Sequence, residues 1–189
     1  MKHHTSLSLF ILAAALLPNA ARAAHLIADG PEHVTPLTAG VTAPTGVVRA
    51  ADGPYDLGEV LAHKPTILVF YSSNGLGNRA LADLRDGFPI YESLGYQVIA
   101  ISTDAPESLR EAEEKNHTNY PLLSDRDLAL AASYGIAFRA PNGADGAAGL
   151  LVPTVFVVDR SGVIRWVYSN PHRNATRTQI VAAAVRAIK

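Results

Sequence analysis

The chain has 189 residues, with 16 basic and 17 acidic side chains and no cysteine. That length suits one domain with a full core, and the near balance of charge leaves no electrostatic footprint for nucleic acid. The missing thiol excludes disulfides, Cys-ligated zinc or iron–sulfur centres, and a cysteine nucleophile.

In chain order, residues 1–23 read as a removable export signal. Lys2 gives a small basic start, and Leu7 to Leu17 form an apolar run too short to span a bilayer. Pro18-Asn19 breaks it, and Ala21-Arg22-Ala23 supplies an A-x-A cleavage pattern. The expected location is periplasmic or secreted; retention of the segment as an anchor is the alternative. No later stretch is long and apolar enough to cross a membrane. Removing Lys2 and Arg22 leaves 14 basic against 17 acidic side chains, a net charge of −3.

Residues 24–45 lack periodicity and predict an extended or disordered lead-in to a domain over residues 46–189. Gly46 to Ala50 predicts a strand, Ala51 to Pro54 a turn, and Asp56 to His63 a short helix. Lys64-Pro65 closes that helix. Thr66 to Tyr71 is a continuous apolar run, as in a strand covered on both faces. Leu81, Leu84, Phe88 and Tyr91 recur at helical spacing to about Leu94, with Gly87 and Pro89 expected to bend or interrupt the helix. Tyr96 to Ser102 is the next strand. Asp104-Ala-Pro-Glu107 predicts a helix start capped by Asp104, running to about Asn116. Pro121 to Leu123 predicts a short strand or edge segment, and Ser124 to Asp127 caps a helix ending near Gly135. Residues 139–149 form a loop. Thr154 to Val158 and Val163 to Tyr168 predict a hairpin turning at Asp159 to Gly162, and the tail is an amphipathic helix. This order predicts a three-layer α/β domain with a mixed central sheet flanked by helices.

Four stretches together carry a resemblance: Lys64-Pro-Thr-Ile-Leu-Val-Phe-Tyr71, Asn78-Arg-Ala-Leu-Ala-Asp-Leu84, Leu94-Gly-Tyr-Gln-Val-Ile-Ala-Ile-Ser102 and Leu151-Val-Pro-Thr-Val-Phe-Val-Val-Asp-Arg-Ser-Gly162. Over residues 45–189 the chain resembles the thioredoxin fold, and more closely the peroxiredoxin-like branch of the alkyl hydroperoxide reductase/thiol-specific antioxidant family. The resemblance implies a cis Val152–Pro153 bond before Thr154, facing the loop that carries redox cysteines in relatives. Here that loop is Ser72, Ser73, Asn74, Gly75, Leu76, Gly77, Asn78 and Arg79, shorter than in relatives and without a thiol. Matching Asn78-Arg79 to the relatives' pattern sets Gly77 at the second cysteine's place and Asn74 to Leu76 around the first. An ungapped match sets Arg79 at the peroxidatic position. None of these residues can form the thiolate and sulfenic acid that peroxiredoxin chemistry requires, so no catalytic residue carries over.

The remaining candidates are few. Ser72 and Ser73 lack a nearby base and a G-x-S-x-G elbow. Asn74 to Asn78 could cradle an anion at a helix start, but the spacing matches no nucleotide-binding loop. His25, His33, His63, His117 and His172 show no metal-ligand spacing; His25 and His33 would support at most weak copper or zinc binding. Arg173 and Arg177, at the start of the tail helix, hint at an anionic contact. The Asn116 and Asn174 glycosylation triplets read as chance in a bacterial-type export signal. No metal or cofactor is expected. The leading reading is a cysteine-less binding protein that takes an extended peptide or another exported protein in the groove between residues 72–79 and Val152-Pro153-Thr154, by strand addition. The alternatives are antioxidant chemistry without a thiol and periplasmic metal handling.

Overall fold

A computed structural model describes residues 27–72, 77–139, 149–169 and 178–188. The proposed signal lies outside them, and among the described residues no helix is long and apolar enough to cross a membrane.

Thr66–Phe70 (β3) lies in the interior of the sheet, since every one of its residues is apolar or hydrogen-bonded and all five are buried. Its side chains alternate between two cores. Leu68 and Phe70 join the cluster under Leu57–His63 (α1) and Ala129–Ser133 (α4). Ile67 and Val69 join the cluster under Gly77–Ser93 (α2), Pro106–Asn116 (α3) and Thr178–Ala187 (α5). Helices therefore cover both faces, giving the three layers expected.

Seven strands lie in the order β2-β1-β5-β4-β3-β8-β9. They are Val47–Ala50 (β1), Gly53–Asp56 (β2), β3, Gln97–Ser102 (β4), Leu122–Ser124 (β5), Thr154–Val158 (β8) and Ile164–Ser169 (β9). β3, β4 and β5 run parallel, while β8 is antiparallel to β3 and β9 to β8. The sheet is mixed, as expected. Two-residue strands Ala137–Phe138 (β6) and Leu150–Leu151 (β7) pair at the base of the 139–149 segment.

Several local expectations are corrected. The Gly53-Pro54 part of the expected turn is the start of β2, an edge strand where proline's missing N–H faces no partner. α2 is not interrupted: Pro89 sits inside it, on its exposed side. Gly87 is needed for packing, because a Cβ there would lie 2.7 Å from Tyr91 Oη and 2.8 Å from Thr178 Cγ2. Asp104 does not cap α3; the cap position is Ala105 without a side-chain bond, and the Asp104 carboxylate accepts from Ser102 Oγ instead (2.8 Å). Of the two expectations for Pro121 to Leu123, the short strand is found, as β5, and the edge segment is not, since β5 is interior between β1 and β4.

The described part of the lead-in runs along the domain in a largely extended course. Leu37 N–H donates to Tyr134 O (3.1 Å), Gly40 N–H to Ile164 O (2.8 Å) and Ala43 N–H to Gly162 O (2.8 Å). Its approach is close enough that a Cβ on Gly135, at φ +70°, would lie 2.2 Å from Thr35 O.

Candidate functional site

Parallel strands β3, β4 and β5 end on one rim of the sheet, the position where open α/β sheets place ligands. Tyr71 and Ser72 leave β3 there. Ser73, Asn74, Gly75 and Leu76 lie outside the described residues. Gly77 and Asn78 open α2, and Arg79 in its first turn is exposed while Ala80 behind it is buried. The anion-cradle reading of Asn74 to Asn78 thus falls mostly outside the described residues.

β8 begins at the same rim. Phe70 pairs with Thr154, and continuing that register sets Tyr71 opposite Pro153. The structure therefore brings Ser72 and the Val152-Pro153-Thr154 segment together. The Val152–Pro153 bond is trans, correcting the cis expectation. Trans is favoured by about 0.5–1 kcal/mol for an X–Pro bond, and here the chain passes straight from β7 into β8. Val152 N–H donates to Ile136 O (2.9 Å), and Val152 O accepts from Thr154 Oγ1 (2.9 Å). A peptide seeking to pair with Val152 finds its only donor already used.

The rim also carries polar residues that a reading of one loop cannot assemble. Ser102 ends β4 and Asp104 follows it, Ser124 ends β5 and Asp125 follows it, and Ser169 ends β9. Ser124 Oγ donates to Asp104 O (2.6 Å), and Thr154 Oγ1 shares a hydrogen bond with Ser169 Oγ (3.0 Å). Asp125, 2% exposed, accepts from Leu130 N–H (3.0 Å) and Ala131 N–H (2.7 Å). Burial pushes its pKa up to about 6, against those two hydrogen bonds and with the nearby Asp127 carboxylate pushing the same way. The signal for these residues is the polar pair directly after each apolar run, Ser102 with Asp104 and Ser124 with Asp125.

Below the rim, Tyr71 Oη is buried beside Ser102 in a geometry short of a hydrogen bond. Burial raises its pKa to about 12, with Asp104 and Glu113 adding to the rise against Ser102. It is a neutral phenol at any ordinary pH. His33 (which contacts Glu32), His63 and His117 are exposed, and none is hydrogen-bonded to a rim hydroxyl or carboxylate among the described residues; His25 and His172 lie outside the described residues. Among the described residues no three His, Cys, Asp or Glu side chains gather as metal ligands. Asn116 is 7% exposed and its amide donates to Ala112 O (2.8 Å), so its triplet presents no accessible acceptor. Asn174, Arg173 and Arg177 lie outside the described residues. Chemically, the rim is a set of hydroxyls and carboxylates bonded partly to one another and partly to nearby backbone, with Arg79 as an exposed cation.

The family model described as AhpC/TSA family matches residues 39–167. A putative peroxiredoxin of Mycobacterium tuberculosis is 31% identical over 133 residues, covering 69% of this chain and 83% of that protein. A putative chloroplastic peroxiredoxin Q of Oryza sativa subsp. indica is 27% identical over 164 residues, covering 84% and 72%. Among solved structures, peroxidoxin BcpB from M. tuberculosis superposes with a TM-score of 0.70 at 24% identity, over 81% of this chain and 99% of that one. The bacterioferritin comigratory protein of Xanthomonas campestris gives 0.66 at 18%, over 82% and 99%. The fold is thus the thioredoxin-like fold of peroxiredoxins.

Proposed function

Because the chain belongs to the AhpC/TSA family yet contains no cysteine, we propose that it works by binding rather than by thiol chemistry, as an exported member of that family. One observation carries this reading: in 189 residues there is no thiol to form the thiolate on which peroxide reduction depends. The rim hydroxyls do not replace it. Ser102 donates to Asp104, and Thr154 is engaged by Val152 and Ser169, and neither hydroxyl has a histidine as its hydrogen-bond partner to serve as a base. Export rests on the basic start, apolar run and A-x-A pattern of residues 1–23. The ligand is an extended peptide or another exported protein, contacted at the rim through Ser72, Arg79 and Pro153 side chains, since Val152 N–H is committed.

Peroxide consumption by the purified protein with dithiothreitol or thioredoxin tests the chemical half. The rate should not exceed a buffer control; sustained turnover would overturn the proposal and restore an antioxidant role. Capture of partners from a periplasmic extract tests the binding half. Arg79→Glu combined with Pro153→Ala should lose the partners of the unaltered protein, and an identical partner set would count against a rim site.

A further inference from the structure

We propose that the end of the sheet opposite the rim holds a second binding site, for a small molecule that joins one oxyanion, a carboxylate or phosphate, to a short apolar body. It lies at the other end of β3 from the rim and does not depend on a partner held there.

Parallel β3 and β4 start at this end, and β8 finishes there. Carried one step past the paired residues, the registers of β3 with β4 and with β8 set Pro65 between Tyr96 and Asp159. Gln97 N–H donates to Pro65 O (3.0 Å) and Asp159 N–H to Val163 O (3.0 Å), so the main chain at these strand ends is already tied. Around them lies a cavity of about 610 Å³, closed further by the turn 159–161, Arg165 and Ile188 after α5. That volume suits a small ligand. Arg165 is the extra residue of a β-bulge, since Val157 pairs with Trp166 but Val158 with Ile164. A bulge re-aims the side chain it carries, and here the guanidinium meets Asp159 beside the cavity.

The lining sets the sign of the ligand. Asp159 is its one carboxylate among the described residues, and both oxygens are engaged. Oδ1 accepts from Ser161 N–H (2.8 Å), Ser161 Oγ (2.7 Å) and Val163 N–H (3.0 Å), and Oδ2 accepts from Arg165 Nε. Arg165 thus cancels the charge of Asp159 and, among the described residues, gives its remaining N–H groups to no protein acceptor. Arg160 is exposed and has no ion-pair partner among the described residues. The cavity therefore holds one uncompensated positive charge and planar N–H forks in want of acceptors, which a carboxylate or phosphate supplies. Burial first, and the Asp159 charge second, hold the Tyr96 pKa above its ordinary value, so the ligand meets a neutral phenol. The rest of the lining is carbon: Pro65 and Ile188 are half-buried, and Tyr96 is 8% exposed. These surfaces pack against an apolar body beside the oxyanion. A cationic ligand would face two guanidiniums, and a peptide strand would find β3 and β8 already paired.

Amide NMR of the purified protein at low ionic strength tests this, with benzoate, phenyl phosphate, acetate, inorganic phosphate and neutral benzamide as probes. Benzoate or phenyl phosphate should give saturable shifts at Tyr96 and residues 159–165, with a Kd of about 1 mM or tighter; the tighter of the two identifies the oxyanion. Acetate and inorganic phosphate, without the apolar body, should bind about tenfold more weakly or worse, and benzamide should not bind. Arg160→Gln should weaken binding by about tenfold or more, and Arg160→Lys by less, since it keeps the charge and loses the fork. Arg110→Gln removes one charge from α3, lines neither site and should bind like the unaltered protein. Undiminished binding by Arg160→Gln overturns the site, as does benzamide or acetate matching benzoate, or the absence of saturation. An equal loss with Arg110→Gln would reduce the effect to net charge and overturn it as well. Shifts confined to Arg79 and the start of α2 would put the oxyanion at the rim and refute this site. Capture of partners by Arg160→Gln should be unchanged, so the two sites stand or fall separately.

Discussion

Two turns of similar spelling, Ser124-Asp-Arg-Asp127 after β5 and Asp159-Arg-Ser-Gly162 after β8, hold their aspartates in opposite electrostatic states. Asp125 is 2% exposed, accepts from two backbone N–H groups and lies near the Asp127 carboxylate. Burial dominates there, and its pKa rises to about 6. Asp159 lies at the surface end of a hairpin. Burial would raise it, but hydrogen bonds from Ser161, Val163 and Arg165 prevail and bring it down to about 2. Both carboxylates organise a turn. They differ in what surrounds the turn: Asp125 is closed in under α4 and near another carboxylate, whereas Asp159 has water and a guanidinium. The same residue type therefore stabilises one turn by being hard to ionise and the other by being easy to ionise.

The largest expected effect is at Asp125. Asp125→Ala removes the acceptor for two buried N–H groups, each worth about 1–3 kcal/mol when left unpaired. The loss should itself depend on pH. The folded pKa of about 6 lies above the ordinary 3.8, so between those values the folded state binds more protons than the unfolded one. The stabilising contribution is complete below 3.8 and is lost as pH rises through 6, at up to about 1.4 kcal/mol per pH unit. Urea unfolding of both proteins at pH 4 and pH 7 checks this. The gap between them should be wider at pH 4. A gap that is constant, or wider at pH 7, would break the contrast with Asp159.

Legibility from sequence followed the same division between local and assembled features. β3, β4 and β8 are readable because each is a run of apolar residues long enough to show burial on two faces. β6 and β7 are not, since two residues carry no periodicity. Pro89 does not interrupt its helix, because a proline on an exposed helix side is tolerated where packing holds the rest, which only the fold decides. The resemblance pointed to Ser72 and Thr154, which the fold brings to one rim, but the proline geometry it implied is not found, since the Val152–Pro153 bond is trans. Ser102, Asp104, Asp125 and Ser169 were hidden for another reason. They reach one rim only when β5, β4, β3, β8 and β9 lie side by side, and no stretch of sequence contains that juxtaposition.

An intermediate effect is expected at Asp159. Asp159→Ala removes the acceptor for Ser161 N–H (2.8 Å), Ser161 Oγ (2.7 Å) and Val163 N–H (3.0 Å). Loss of such a side-chain cap costs about 1 kcal/mol, less than at Asp125 because the freed donors reach water. Its pH dependence should have the opposite sign. With a folded pKa of about 2 against 3.8, the contribution is present above 3.8 and is lost as pH falls through 2. Acid titration of unfolding should therefore bring the variant and the parent together at the acid end. A difference that persists there would mean the turn is held by shape and not by charge.

The smallest effect separates the two sources of Asp159's low pKa. Arg165 contacts Asp159 Oδ2 through Nε and is about half exposed. An ion pair at that exposure is worth roughly 0–1 kcal/mol and is screened by salt over a Debye length of about 10 Å at 0.1 M. Arg165→Ala should therefore cost about 0.5 kcal/mol at low ionic strength and almost nothing in molar salt. The Asp159 carboxyl should stay below its ordinary range, because Ser161 and Val163 still donate to it. Carboxyl-detected NMR titration reads that value directly. If the carboxyl returned to its ordinary value in Arg165→Ala, the turn's backbone donors would contribute little, and Asp159 would be an ion-paired surface acid. The contrast with Asp125 would then reduce to the presence of one arginine. If it stays low, the two turns differ in burial and share the same device, a carboxylate accepting from two nearby backbone N–H groups.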